Sequence, residues 1–180
     1  MTKRAYKKFE RNDRDFYATP EAAVLPLLPH VEYGTSFDEP CAGDGALVGH
    51  LIAGGLIPAF ISDIEPRSGE IACRDALDRP FCQGSMFVTN PPWDRKILHP
   101  LITHLSDIAP TWLLFDADWM HTKQAAPFMP RLKKIVSVGR VSWFGDTVGF
   151  DNCAWYLFDK PSSGLPVFVG RTPFEPTIVS

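Results

Sequence analysis

The chain has 180 residues, a formal charge of −3 and 45% hydrophobic residues, which fits one domain with a sizeable core and is too apolar for general disorder. No run approaches the eighteen apolar residues of a membrane span, and Met1-Thr-Lys-Arg4 leads into polar sequence with no apolar secretory core, so a cytoplasmic protein without a membrane partner is expected. Cys41, Cys73, Cys82 and Cys153 form no CxxC pair and no histidine joins them at zinc-like spacing, so reduced thiols and no metal are expected.

Residues 1–14 carry Lys3, Arg4, Lys7, Lys8, Arg11 and Arg14 against Glu10 and Asp13, and read as a basic flexible tail. The main domain then spans 15–160. In Asp15-Phe-Tyr-Ala-Thr-Pro20, Thr19 is placed to N-cap a helix and Pro20 suits its first turn. That helix runs from Pro20 towards Leu28, shortened by Pro26. A first strand over Ser36–Glu39 leads into Gly43 and Gly45. A helix follows over Ala46–Ala53, closed by Gly54-Gly55. A second strand, Ala59–Asp63, ends on an acid, and Ile71–Cys73 is a short third strand before Asp75. Met86–Thr89 is the fourth strand and 97–105 a helix. Thr111–Phe115 is a fifth strand, 125–132 a helix interrupted by proline, and 134–141 and 153–158 two last strands. This alternation, with near-continuous apolar strands, predicts a mostly parallel α/β sheet of seven strands with an antiparallel strand at its edge. Pro161–Ser180 is a Pro/Gly-rich C-terminal extension.

Two constellations fall at strand ends, where open α/β sheets collect ligands. The first is Glu39-Pro-Cys-Ala-Gly-Asp-Gly45, with Asp63 about twenty residues on. Gly43 and Gly45 let the backbone turn tightly and approach a ligand. Asp63 stands where a carboxylate accepts ribose hydroxyls, and Glu39 or Asp44 suits an amine. Residue 48 is Val, so the turn is not G-x-G-x-x-G, and no Lys-Ser/Thr follows as in a P-loop. Acids without a nearby lysine suit a cofactor with a ribose and a cationic amino-acid end, such as S-adenosyl-L-methionine. A plain glycine turn is the bland alternative. Asp75 either accepts an adenine amine or caps the turn before Ala76-Leu77.

The second is Asn90-Pro91-Pro92-Trp93, at the end of an apolar strand. Asn90 is no general base; its oxygen and the Pro91 carbonyl can accept both hydrogens of a planar NH2 group and align its nitrogen for attack. Trp93 offers a stacking face worth about 1–3 kcal/mol per base, with Tyr17 or Phe144 as the other wall. The alternative is a Pro-Pro turn with Trp93 packed in the core.

Together these segments resemble the class I S-adenosylmethionine-dependent methyltransferases (Rossmann-like fold), specifically the small phage-type enzymes that methylate adenine N6 in DNA. The resemblance covers residues 15–160. It rests on Tyr17-Ala18-Thr19-Pro20, Glu39-Pro40-Cys41-Ala42-Gly43-Asp44-Gly45, Asp63, Asp75 and Asn90-Pro91-Pro92-Trp93. It implies that Tyr17, Thr19 and Pro20 touch the methionine end of the cofactor, that Glu39, Cys41, Gly43 and Gly45 form its turn, that Asp63 binds ribose, with Glu65 as the alternative acid, and that Asp75 lies near adenine. Family members more often have Asp where Glu39 stands, which could pass the amine contact to Asp38, and Tyr or Phe where Trp93 stands. Trp143-Phe144-Gly145-Asp146 and Trp155-Tyr156 also resemble late segments of these enzymes.

Residues 121–140 carry Lys123, Arg131, Lys133, Lys134 and Arg140 against no acid, which suits a passing phosphate backbone as well as a solvated surface. Trp93, Phe144, Lys123 and Arg140 are therefore the expected substrate contacts. DNA is the expected partner. RNA adenine and a protein glutamine amide present similar NH2 groups, and a non-catalytic binding module is a further alternative. The stretch between the fourth and fifth strands is too short for a large target-recognition domain, so loops 118–130 and 142–152 or a separate specificity partner would read the target.

Overall fold

The computed structural model describes residues 17–143 and 152–171. Eight strands form one sheet: β1 (Ser36–Glu39), β2 (Ile57–Asp63), β3 (Ala72–Cys73), β4 (Met86–Thr89), β5 (Thr111–Asp116), β6 (Leu132–Arg140), β7 (Asn152–Phe158) and β8 (Val167–Val169). Their order is β3-β2-β1-β4-β5-β7-β6-β8. The β1–β2, β1–β4, β2–β3 and β4–β5 pairs are parallel. β7 is antiparallel to both β5 and β6, so β6 runs the same way as β5. The α/β class and the mostly parallel sheet match the sequence reading. The antiparallel strand, however, lies inside the sheet, and an eighth strand within the C-terminal extension adds parallel to β6 as its edge. β7 pairs antiparallel with β5 on one side and with β6 on the other, which is what places it inside the sheet.

Alternate residues of the central strands feed two apolar layers, one on each face of the sheet. Met86, Val88, Trp112, Leu114, Val136 and Trp155 pack under Ala23, Val24, Leu47 and Leu51, from α1 (Glu21–Val24) and α2 (Ala46–Ala53). Phe87, Leu113, Phe115, Ile135, Tyr156 and Phe158 pack under Leu98, Leu101, Ile102 and Leu105 of α3 (Arg95–Ile108). Those four sit at i, i+3, i+4 and i+7, the stripe an amphipathic helix buries. Asp94 caps α3 by accepting from Lys96 N at 2.9 Å. The segment 123–131 is wound as a 3₁₀ helix instead of the expected α-helix; Pro127 and Pro130 lack the N–H donors that an α-helix needs.

α1 stops at Val24, and a 3₁₀ turn, Leu28–His30, completes the N-terminal segment. Thr19 does not cap α1. Pro20 occupies the N-cap position, without a side-chain bond, and the Thr19 hydroxyl is engaged elsewhere.

A buried ion pair orders the connection from β3 to β4. Arg79, 2% exposed, donates to fully buried Asp38 of β1, and its guanidinium lies 4.6 Å from the Phe60 ring centroid and 5.5 Å from that of Phe87. Asp38 also accepts from Gln83 N and Gly84 N, each at 2.9 Å. At Gly84 a Cβ would come within 2.8 Å of the Phe37 backbone, so only glycine lets this loop lie against β1. The loop carries Asp75 and the 3₁₀ turn Ala76–Asp78 to the carboxyl ends of β1 and β2.

Candidate active site

β1, β2 and β4 all end at the same rim of the sheet, and a cavity of about 570 Å³ opens there. Tyr17, Thr19, Cys41, Gly43, Asp63, Asp75, Asn90 and Pro92 all line it. Residues from five separate stretches of sequence thus share one wall. Ile64, Leu77, Ile97 and Leu101 supply apolar surface, and Asp44, Glu65, Arg67, Asp94 and Lys96 supply charge.

The glycine turn is held from β2. Gly43 and Gly45 have φ of 56° and 87°, in the left-handed region where a side chain is strained. Asp63 Oδ2 accepts from Gly43 N at 2.8 Å, and Oδ1 accepts from Glu65 N at 2.7 Å. Each oxygen has two lone pairs, so one per oxygen stays outside these two bonds. Asp75 Oδ1 accepts from Leu77 N at 2.9 Å and so caps the Ala76–Asp78 turn, while the residue lines the cavity as well.

Glu39 departs from the sequence expectation. It is fully buried and is not part of the cavity wall. Oε1 accepts from Cys41 N at 3.0 Å, and Oε2 has no hydrogen-bond partner among the described residues. Burial raises its pKa to about 8, outweighing the hydrogen bonds that favour the ionised form, with a smaller push from Asp63. The buried side chain braces the turn through Cys41 N. Asp38, engaged by Arg79, is not free to take over an amine contact. Burial, and next the Glu39 carboxyl, push the Cys41 thiol far above its ordinary value, so it stays neutral. Gly45 and Pro20 also lie outside the wall: Gly45 starts α2 and Pro20 starts α1.

Asn90 is half-buried and tied at both ends of its carboxamide. Nδ2 donates to Thr19 Oγ1 at 3.1 Å, and Oδ1 accepts from Trp93 Nε1 at 3.2 Å. The same indole N–H reaches Leu114 O at 3.2 Å. Trp93 packs against both apolar layers and is not itself on the cavity wall. Trp143 meets Trp93 edge-on, with centroids 5.8 Å apart, and lies 6.4 Å from Tyr17. These three aromatic residues flank Asn90. Sequence reasoning named the Trp143 segment but not this contact, because nothing local links positions 93 and 143.

The remaining substrate candidates are dispersed. Lys123 and Arg140 are exposed, on the carboxyl-end side of β5 and β6, and neither lines the cavity. Phe144 and the tail 1–14 lie outside the described residues. The basic run 121–140 is partly consumed within the protein. Arg131 pairs with Asp107 at 2.6 Å, and Lys133 Nζ donates to Lys160 O and Ser162 Oγ, both at 2.8 Å. Among the described residues no helix is long and apolar enough to cross a membrane, and no three His, Cys, Asp or Glu side chains cluster as a metal site.

The strand order, the glycine turn after β1 and the cavity at the strand ends define the class I S-adenosylmethionine-dependent methyltransferase fold. Solved structures agree. A protein designated an RNA methyltransferase, from Pyrococcus horikoshii, superposes with a TM-score of 0.54 at 14% identity over 82% of this chain and 86% of its own. A type I restriction-modification methyltransferase subunit from Streptococcus thermophilus gives 0.56 at 11% identity over 86% of this chain, which spans only 47% of that subunit. The 23S rRNA methyltransferase ErmE gives 0.53 at 12% identity, covering 81% of this chain and 70% of its own. No family model matches the sequence, and no curated relative does.

Proposed function

We propose that this protein transfers a methyl group from S-adenosyl-L-methionine to the exocyclic N6 amine of adenine in DNA. The observation that carries this reading is the joint lining of one cavity by the Gly43 turn, Asp63 and Asn90. A cavity of about 570 Å³ is of the size that takes a nucleoside-sized ligand. The wall fits this cofactor: Asp63 offers lone pairs for ribose hydroxyls, Asp75 an acceptor beside apolar Leu77 for an adenine edge, and Gly43 a backbone without a Cβ. When bound, S-adenosylmethionine supplies an electrophilic methyl group on a cationic sulfur.

The chain's own contribution is orientation. Asn90 Oδ1 spends one lone pair on Trp93 and keeps the other for an N–H of the amine; the second acceptor in this reading is the carbonyl of Pro91, a buried residue that stands behind the cavity wall and not on it. Two acceptors on one NH2 group turn the nitrogen lone pair out of the ring plane and along the line of attack. Their dipoles favour the positive charge that grows on nitrogen. The proton then leaves to solvent. Tyr17, on the cavity wall, provides aromatic surface for an extruded base, whereas Trp93 is packed between the apolar layers.

DNA is favoured by the resemblance of the Asn90–Trp93 and Tyr17–Pro20 motifs; a restriction-modification methyltransferase subunit and RNA methyltransferases share the fold. Between β4 and β5 stands little more than α3, which leaves no room for a target-recognition domain, so a partner or the loops after β5 and β6 select the site. The test incubates the protein with labelled methyl donor and duplex DNA, single-stranded DNA, RNA or protein. N6-methyladenine in DNA is the expected product. Label in RNA alone, or on glutamine alone, would reassign the acceptor, and no label in any arm would overturn the reading.

A further inference from the structure

The aromatic residue after the two prolines does more than offer a flat face. Trp93 Nε1–H is a donor shared between Asn90 Oδ1 and Leu114 O, both at 3.2 Å. An asparagine amide has two ends of nearly equal shape, one accepting and one donating. Its other contact here, the Thr19 hydroxyl, both donates and accepts and so fits either end. The indole N–H only donates. It is therefore the one of these two contacts that tells the oxygen of Asn90 from the nitrogen. A phenyl ring in this slot has no donor, and a phenol carries its hydroxyl at the far end of the ring.

We infer that Trp93 is a positioning residue: its indole N–H locks the Asn90 carboxamide in the single orientation that presents an acceptor to the incoming amine. This rests on the adenine-methylating reading for its consequence, though not for the bond itself. With the N–H gone, the Thr19 contact survives an amide flip, and a flipped amide would offer the substrate NH2 group a donor.

The experiment replaces Trp93 with 3-benzothienylalanine, which keeps the bicyclic shape and stacking surface and puts sulfur where the N–H was. Turnover on an adenine-containing duplex should fall about tenfold, the loss of one orienting hydrogen bond. Affinity for S-adenosylmethionine, by calorimetry, should stay within about twofold, because Trp93 is not on the cavity wall. A pure stacking role predicts unchanged turnover, and that result would overturn the inference. The bond is read separately in ¹⁵N-indole spectra of the full-length protein. The Trp93 signal should shift and exchange faster in Asn90→Ala; a signal that does not move would also overturn it. If the wild-type protein methylates no acceptor, the proposed function falls, and the indole signal still decides whether Trp93 holds Asn90.

Discussion

The Thr19 hydroxyl and the Asn90 amide nitrogen lie 3.1 Å apart, joining residues 71 positions apart in the chain. Thr19 is 5% exposed, and this part-buried bond links the segment before α1 to the end of β4. Replacing Thr19 with valine keeps the shape and deletes the acceptor. Stability should drop by about 1 kcal/mol, and methyl transfer should fall several-fold. Denaturant melts and steady-state kinetics check both, and Thr19→Ser should restore most of the loss.

Asn90→Ala removes the acceptor altogether. Methyl transfer should fall by at least about a hundredfold, as for loss of a group acting in the transition state, while calorimetry still shows cofactor binding. Turnover close to wild type would remove Asn90 from the chemistry.

Asp63 holds the glycine turn and faces the cavity at once. In Asp63→Asn the side chain keeps one oxygen for Gly43 N and loses its charge and second acceptor. Affinity for S-adenosylmethionine should weaken about tenfold or more, since hydrogen bonds to a carboxylate are about twice as strong as neutral ones. Titration calorimetry measures this directly.

Glu39 gives the stability curve a pH slope. Its pKa stands near 4.5 unfolded and is raised to about 8 in the folded protein, chiefly by burial. Between these values the folded state holds a proton that the unfolded state has released. Stability from this group is therefore full below about pH 4.5 and is lost as pH rises towards 8. Glu39→Gln should flatten this part of the curve, so that the variant gains on wild type from pH 5 to 8. Melting temperatures of both proteins across that range test the sign.

The Arg79–Asp38 pair is closed off from solvent, with side chains 2% and 0% exposed. Arg79→Met leaves the Asp38 carboxylate buried without its counter-charge and should cost about 3–5 kcal/mol. Asp38→Asn in the same chain should recover part of that, because no charge is then stranded. Chemical denaturation of the two variants and wild type separates the terms.

The readable parts of the fold were those with local punctuation. α2 is bounded by Gly43 and Gly45 before it and Gly54-Gly55 after, and its residues are those read from the sequence. β4 is legible as an apolar run between turn residues, and β1, Ser-Phe-Asp-Glu, from its place just before the glycine turn. The features that escaped depend on partners far along the chain. Thr19 has the sequence of an N-cap, and only the fold brings Asn90 to its hydroxyl. Arg79 lies in a stretch with no clear pattern, and its partner is 41 residues upstream. The position of β7 between β5 and β6 is a matter of pairing, which periodicity does not encode. Lys123 and Arg140 stood out by charge alone, and charge does not say which way a surface faces. The candidate residues of the cofactor turn were picked by type; which of them reach the cavity depends on side-chain direction, and Glu39 turned inward.

One carboxylate anchors two stretches of backbone. Because Asp63 accepts from the N–H groups of both Gly43 and Glu65, the turn after β1 cannot shift without the turn after β2. The amide hydrogens of Gly43 and Glu65 should accordingly exchange slowly with solvent.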